Sequence, residues 1–138
     1  MNRDDLQQLA KMRLAEAQVL LASGHFAGAY YLAGYAVECA LKACIAKEVQ
    51  EYDFPDLKRV QSSWKHDLTE LVTTAGLQIE LTNVTQQDKD LDDNWNTVKV
   101  WKESSRYDPT IPQYKASAMI SAIADPVHGV LAWLTHNW

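Results

Sequence analysis

Between Phe26 and Ala46 the chain carries only two charged side chains, Glu38 and Lys42, in a run otherwise built from alanine, glycine, tyrosine, cysteine and aliphatic residues. A run this apolar is either a membrane span or the buried helix of a bundle. Its uncharged part, Phe26 to Val37, is shorter than the roughly 20 residues a spanning helix needs, and lengthening it draws Glu38 and Lys42 into hydrocarbon at a cost of several kcal/mol. A transmembrane reading is rejected. Ala29, Ala33, Ala36, Ala40 and Ala43 recur at helical spacing and form a small-residue face, against which another backbone can lie closely. The spacing predicts a central helix from about Phe26 to Val49, with Tyr30, Val37, Leu41 and Ile45 on its larger face.

The flanking sequence supplies the rest of a bundle. A first helix is predicted over Asp4 to Ser23, stopped by Gly24. The pattern fails from Gln50 to Lys65, around Pro55, which reads as a loop. A short helix follows from His66 to Ala75, capped by Ser62 or Ser63 and ended by Gly76. A further helix is expected from about Val84 to Ser104 and a last one from Gln113 to His136, with Pro126 kinking it or starting a new segment because it cannot donate to Ala122. Leu77 to Leu81 alternates, but a lone strand makes no sheet. The fold class is all-α: one domain over residues 1–138, an antiparallel up-and-down bundle of four long helices plus one short helix.

Composition narrows the function. A net charge of −5 on 138 residues argues against a general electrostatic grip on nucleic acid or anionic lipid, leaving room only for a local basic site. Cys39 and Cys44 share one helix, about 140° apart around it and separated by a rise of about 7.5 Å, too far to bridge within the chain. Two reduced thiols, with an N-terminal stretch that does not read as a secretory signal, lead to the expectation of a cytoplasmic protein. There is no phosphate-cradling glycine loop, GxSxG, HExxH or CxxC. His25, His128 and His136 lack ligand spacing, and Asp88, Asp90, Asp92 and Asp93 read as a solvated face suited to a helix dipole. No metal and no cofactor is expected.

Counting back in helical steps from Lys42 and Glu38 reaches Tyr35 and Tyr31, so four polar tips form one stripe on the apolar helix. At a bundle rim the Glu38–Lys42 pair would contribute a few tenths of a kcal/mol. Buried, it needs further partners. His66, Arg106, Tyr31 and Tyr35 are the candidates.

Several pieces in order resemble the HEPN superfamily of small helical domains. They are LLASGHFAGAYYLAGYAVECALKA, with Ala36, Glu38, Leu41 and Lys42 in its most specific part, then KHDLTEL, then a tryptophan-bearing segment closing in SRYDP, then a final long helix. The resemblance implies a bundle that forms a homodimer. It also implies one of two roles: a nucleotide- or RNA-associated binding or accessory module, commonly the partner of a minimal nucleotidyltransferase in a toxin–antitoxin pair, or a metal-independent endoribonuclease toxin.

The nuclease class is marked by an arginine followed by a histidine, and Arg59 precedes His66 with six residues between them. His66 would take the 2′-hydroxyl proton and Arg59 would face the developing phosphorane charge. His66 equally reads as a helix-start residue satisfied by the stripe. Arg106 and Tyr107 offer a cation and a flat ring, suited to a phosphate and a base, or else a clasp in which Arg106 meets Glu38. A purely structural interaction module is the third reading.

Overall fold

The computed structural model describes residues 1–51 and 61–138, with only the backbone described at Gln50 and Glu51, and every regular element among them is helical. In chain order these are α1 (Arg3–Ala22), α2 (Phe26–Glu51), α3 (Leu68–Thr74), α4 (Gln78–Gln87), α5 (Lys89–Val98), a 3-10 helix (Glu103–Tyr107), α6 (Gln113–Ala124) and α7 (Val130–Thr135). Among the described residues no helix is long and apolar enough to cross a membrane.

Helices α1 and α2 form a hairpin because Gly24 reverses the chain at φ +81°, a left-handed conformation that favours glycine. Its N–H donates to the Leu21 carbonyl at 3.2 Å, while that of His25 donates to the Leu20 carbonyl at 2.8 Å. Asn2 and Asp5 cap the start of α1 reciprocally. The alanine face of α2 behaves as its spacing predicts: Ala29, Ala33, Ala36, Ala40 and Ala43 are fully buried, as are Ala10 and Ala17 of α1. Contacts with α1, α3, α6, α7 and the 3-10 helix make α2 the central element. Cys39 and Cys44 are both buried and free.

The second half departs from the expected long helices. The segment predicted as one helix from Val84 to Ser104 is split: α4 begins at Gln78, in the stretch that alternates, and ends at Gln87. Asp88 adopts extended backbone and its side chain accepts from the Leu91 N–H at 3.0 Å, so it caps a new helix rather than continuing the old one. Gly76, at φ +72°, ends α3 as expected, but the cap at its start is Asp67 and not Ser62 or Ser63. Pro126 divides the last helix, as its missing N–H requires. There α6 stops at Ala124 and the Asp125 carboxylate accepts from the N–H groups of Val127 and His128, each at 2.9 Å.

This break delivers His128 to the acids of α5, an association that no spacing in the sequence suggests. His128 Nδ1 lies 2.8 Å from Asp88 Oδ2 and its Nε2 lies 3.8 Å from Asp90 Oδ2. The reading of the four aspartates as a solvated face is therefore corrected for Asp88, while Asp90 stays exposed at 71% with its oxygen near the same ring. The Asp88 hydrogen bond, then the charges of Asp88, Asp90 and Asp125, raise the His128 pKa. Asp88 is lowered chiefly by the same hydrogen bond.

The signs fix a window. The raised histidine contributes stability that is full below its unfolded pKa and is lost as pH rises through its folded value; the lowered aspartate contributes above its unfolded pKa. The clamp is strongest between about pH 4 and about pH 6.5. Melting curves should show that His128→Gln lowers Tm more at about pH 5.5 than at about pH 8.5. Equal losses at both would show that the charged pair clamps nothing.

Candidate functional site

The stripe on α2 folds into one connected surface feature. The rings of Tyr31 and Tyr35 stack with centroids 6.2 Å apart and planes 7° from parallel. Trp101, buried to 2% exposure, lies 6.0 Å from Tyr31. Its indole rests on the backbone of α2 at Gly34, where an added Cβ would sit 2.2 Å from ring atoms Cδ1 and Nε1. Glycine is required there by close approach, since the Gly34 backbone is ordinary helix.

Glu38 is the one buried charged residue among those described, at 2% exposure. One oxygen, Oε1, is 2.8 Å from His66 Nδ1, and the other, Oε2, is 3.6 Å from Lys42 Nζ. A carboxylate can only accept, so a proton on His66 Nδ1 faces Glu38, and in the neutral form of such a ring Nε2 is the acceptor. His66 is half-exposed and Lys42 reaches solvent at 23%, so the carboxylate is buried while both its partners touch water. His66 is held there by local chain geometry. The next residue, Asp67, accepts from the N–H groups of Thr69 at 2.9 Å and Glu70 at 3.1 Å, starting α3 immediately after the imidazole. Thr69 and these backbone bonds lower the Asp67 pKa, with Lys102 contributing its charge.

The far end of the stripe is cationic. Arg106, on the 3-10 helix, sits 4.7 Å over the ring of Tyr107, donates to its hydroxyl at 2.6 Å and pairs with Glu103 at 3.1 Å. The Tyr107 bond, the Glu103 charge and a smaller effect of Tyr31 raise its pKa. Arg106 lies beside the stripe because the 3-10 helix packs against α2. Its expected pairing with Glu38 is replaced by Glu103, three residues away on its own helix and already within reach. Tyr107 is exposed at 73%.

Two neighbours of the stripe carry no signal in the sequence. Burial pushes the Cys39 thiol, beside Tyr35, up to about 11, which makes it a filler rather than a nucleophile. Burial, then Cys39, pushes the Tyr35 hydroxyl up to about 12. Trp101 reads from the sequence as one more core or interface tryptophan, and no periodicity reveals that it lies on Gly34. Arg59 lies outside the described residues, so of the Arg59 and His66 pair the structure describes His66.

The structure thus gathers Tyr31, Tyr35, Glu38, Lys42, His66, Arg106 and Tyr107 on and beside the central helix, with an oriented imidazole at one end and a guanidinium beside an exposed ring at the other. Chemically this can accept a proton at Nε2, offer cations to phosphate and offer flat faces to bases. A profile of the HEPN domain family matches residues 4–133. No curated protein and no solved structure gives a significant match. The profile covers α1 through most of α7, including every residue of the stripe, and the chain belongs to the HEPN domain family.

Proposed function

We propose that this HEPN domain is a nucleotide- or RNA-associated binding module whose ligand runs along the stripe from Arg106 and Tyr107 to Lys42. The observation that carries the reading is the buried Glu38 carboxylate holding a half-exposed His66, in line with stacked tyrosines. A carboxylate is buried only where partners satisfy it, and here His66 and Lys42 do so while both still reach water. Single-stranded nucleic acid matches this chemistry, because phosphates take the cations and every base has a stacking face. The reading includes an assembly that remains part of the proposal: a homodimer acting as accessory subunit to a minimal nucleotidyltransferase, as in a toxin–antitoxin pair.

Fluorescence anisotropy with a labelled single-stranded RNA of about a dozen nucleotides tests it. Stacking on an aromatic side chain is worth about 1–3 kcal/mol per base, so Tyr107→Ala, at an exposed position, should weaken binding at least about fivefold. Arg106→Gln should reduce the salt slope by about one unit. Absence of binding by the unaltered protein overturns the reading and leaves the structural module.

The Glu38–His66 bond favours a second reading, the metal-independent endoribonuclease. A carboxylate that fixes the imidazole tautomer from behind leaves Nε2 placed to accept a 2′-hydroxyl proton. The 2′-oxygen would then attack phosphorus and expel the 5′-oxygen, which takes a proton from water to leave as a 5′-hydroxyl, giving a 2′,3′-cyclic phosphate, with Lys42 and Arg59 as the cations. Labelled RNA incubated in chelator should be cleaved by the unaltered protein and not by His66→Ala; equal cleavage by both, or none by either, rejects it.

A further inference from the structure

Beside the stripe, between the first turn of α1 and the C-terminal half of α2, lies a pocket of about 330 Å³ lined by Arg3, Leu6, Lys42, Ile45, Ala46 and Val49. Its lining is of two kinds. Leu6, Ile45, Ala46 and Val49 make an apolar floor, while Arg3 and Lys42 supply two cations. Arg3 Nε itself is buried without a hydrogen-bond partner among the described residues, and the Arg3 side chain lines the pocket together with that of Lys42. Lys42 is shared with the stripe through Glu38 at 3.6 Å, so the pocket adjoins the His66 site. Asn2, whose side chain is occupied in capping α1, closes one edge.

We infer that this pocket is a subsite for a single nucleotide, its phosphate held by Arg3 and Lys42 and its base laid on the floor of Leu6, Ile45, Ala46 and Val49. The inference rests on the nucleotide- or RNA-associated reading and names where one unit of that ligand sits. The volume falls at the small end of the roughly 300–1,000 Å³ of ligand sites, enough for one nucleotide and too little for two. Arginine and lysine together select an anion, and the apolar floor selects a ligand with a flat, poorly hydrated part over a bare ion.

Titration of the full chain with adenosine 5′-monophosphate, followed by NMR, should shift the signals of Leu6, Ile45, Ala46 and Val49 saturably. Arg3→Gln removes a charge-assisted bond and should weaken the midpoint about tenfold. Ala46→Leu, which fills the floor and keeps both cations, should weaken it similarly. Inorganic phosphate should bind more weakly than the nucleotide. No shift at millimolar nucleotide, an unchanged midpoint in both variants, or phosphate binding as tight as nucleotide overturns the subsite. The RNA assay with Tyr107→Ala reads the stripe independently, so loss of one reading leaves the other measurable.

Discussion

Gly34→Ala should lower stability by about 3 kcal/mol, at the upper end of the usual cost of overpacking a filled core. The new methyl would stand 2.2 Å from Cδ1 and Nε1 of Trp101, far inside van der Waals contact. Neither side can give way cheaply: Gly34 is in the middle of the central helix, and Trp101 is a large ring at 2% exposure. For a domain of this size the loss corresponds to a fall in Tm of roughly 10–15 °C. The clash has one named partner, so Trp101→Leu should absorb much of it. The double mutant should be more stable than the sum of the single losses predicts, by at least about 1 kcal/mol in a denaturation cycle. Additive losses would show that the indole does not lie on Gly34. The effect should reach the site, because Trp101 packs with its ring 6.0 Å from that of Tyr31 at the start of the stripe.

Glu38 gives the second large effect, and its three substitutions should behave differently. Glu38→Ala removes the shared partner of Lys42 and His66 and leaves a hole in a buried position. Losing one side of a fully buried pair costs about 3–5 kcal/mol, but both partners here are partly in water and can reorient, which brings the expected loss to about 2 kcal/mol. Glu38→Gln keeps the volume and an acceptor for His66 Nδ1, and should lose about half as much. Glu38→Leu fills the space with no charge to desolvate, and its stability should lie within about 1 kcal/mol of the unaltered protein. Denaturant melts read these three. RNA binding should order them otherwise: Gln retains most affinity, while Leu and Ala both lose it because the imidazole is no longer held. A stable Glu38→Leu protein that binds RNA with unchanged affinity would reduce the cluster to a clasp between α2 and α3.

The sequence is most legible where a short-range rule acts without competition. The alanine spacing on α2 locates the central helix, Gly24 and Gly76 mark helix ends at which φ is indeed positive, and Pro126 divides the last helix for want of an N–H. It is least legible where one residue has two local uses. Asp88 reads as one of four acids on a helix face, yet its carboxylate reaches its own backbone at Leu91, and this turns one expected helix into α4 and α5. The same competition moves the cap of α3 from the serines to Asp67, which sits nearer the first free N–H groups.

The site divides along the same line. A four-residue offset on one helix is fixed by 3.6 residues per turn, so the neighbourhood of Tyr31, Tyr35, Glu38 and Lys42 was determined by sequence alone. Contacts between elements were not. His66 is one of several partners open to Glu38, and the start of α3 at Asp67 chooses it. Arg106 is open to Glu38 as well, until the 3-10 helix sets Glu103 beside it. Trp101 on Gly34, His128 against Asp88 and the pocket between Arg3 and Lys42 depend on how helices pack, which no spacing within one helix encodes. Local periodicity and two isolated charges determined that this chain is a helical bundle with a polar stripe on its central helix. The packing of that helix alone decided which side chains complete the stripe, because burial of Glu38 forces a choice among partners that sequence leaves equal.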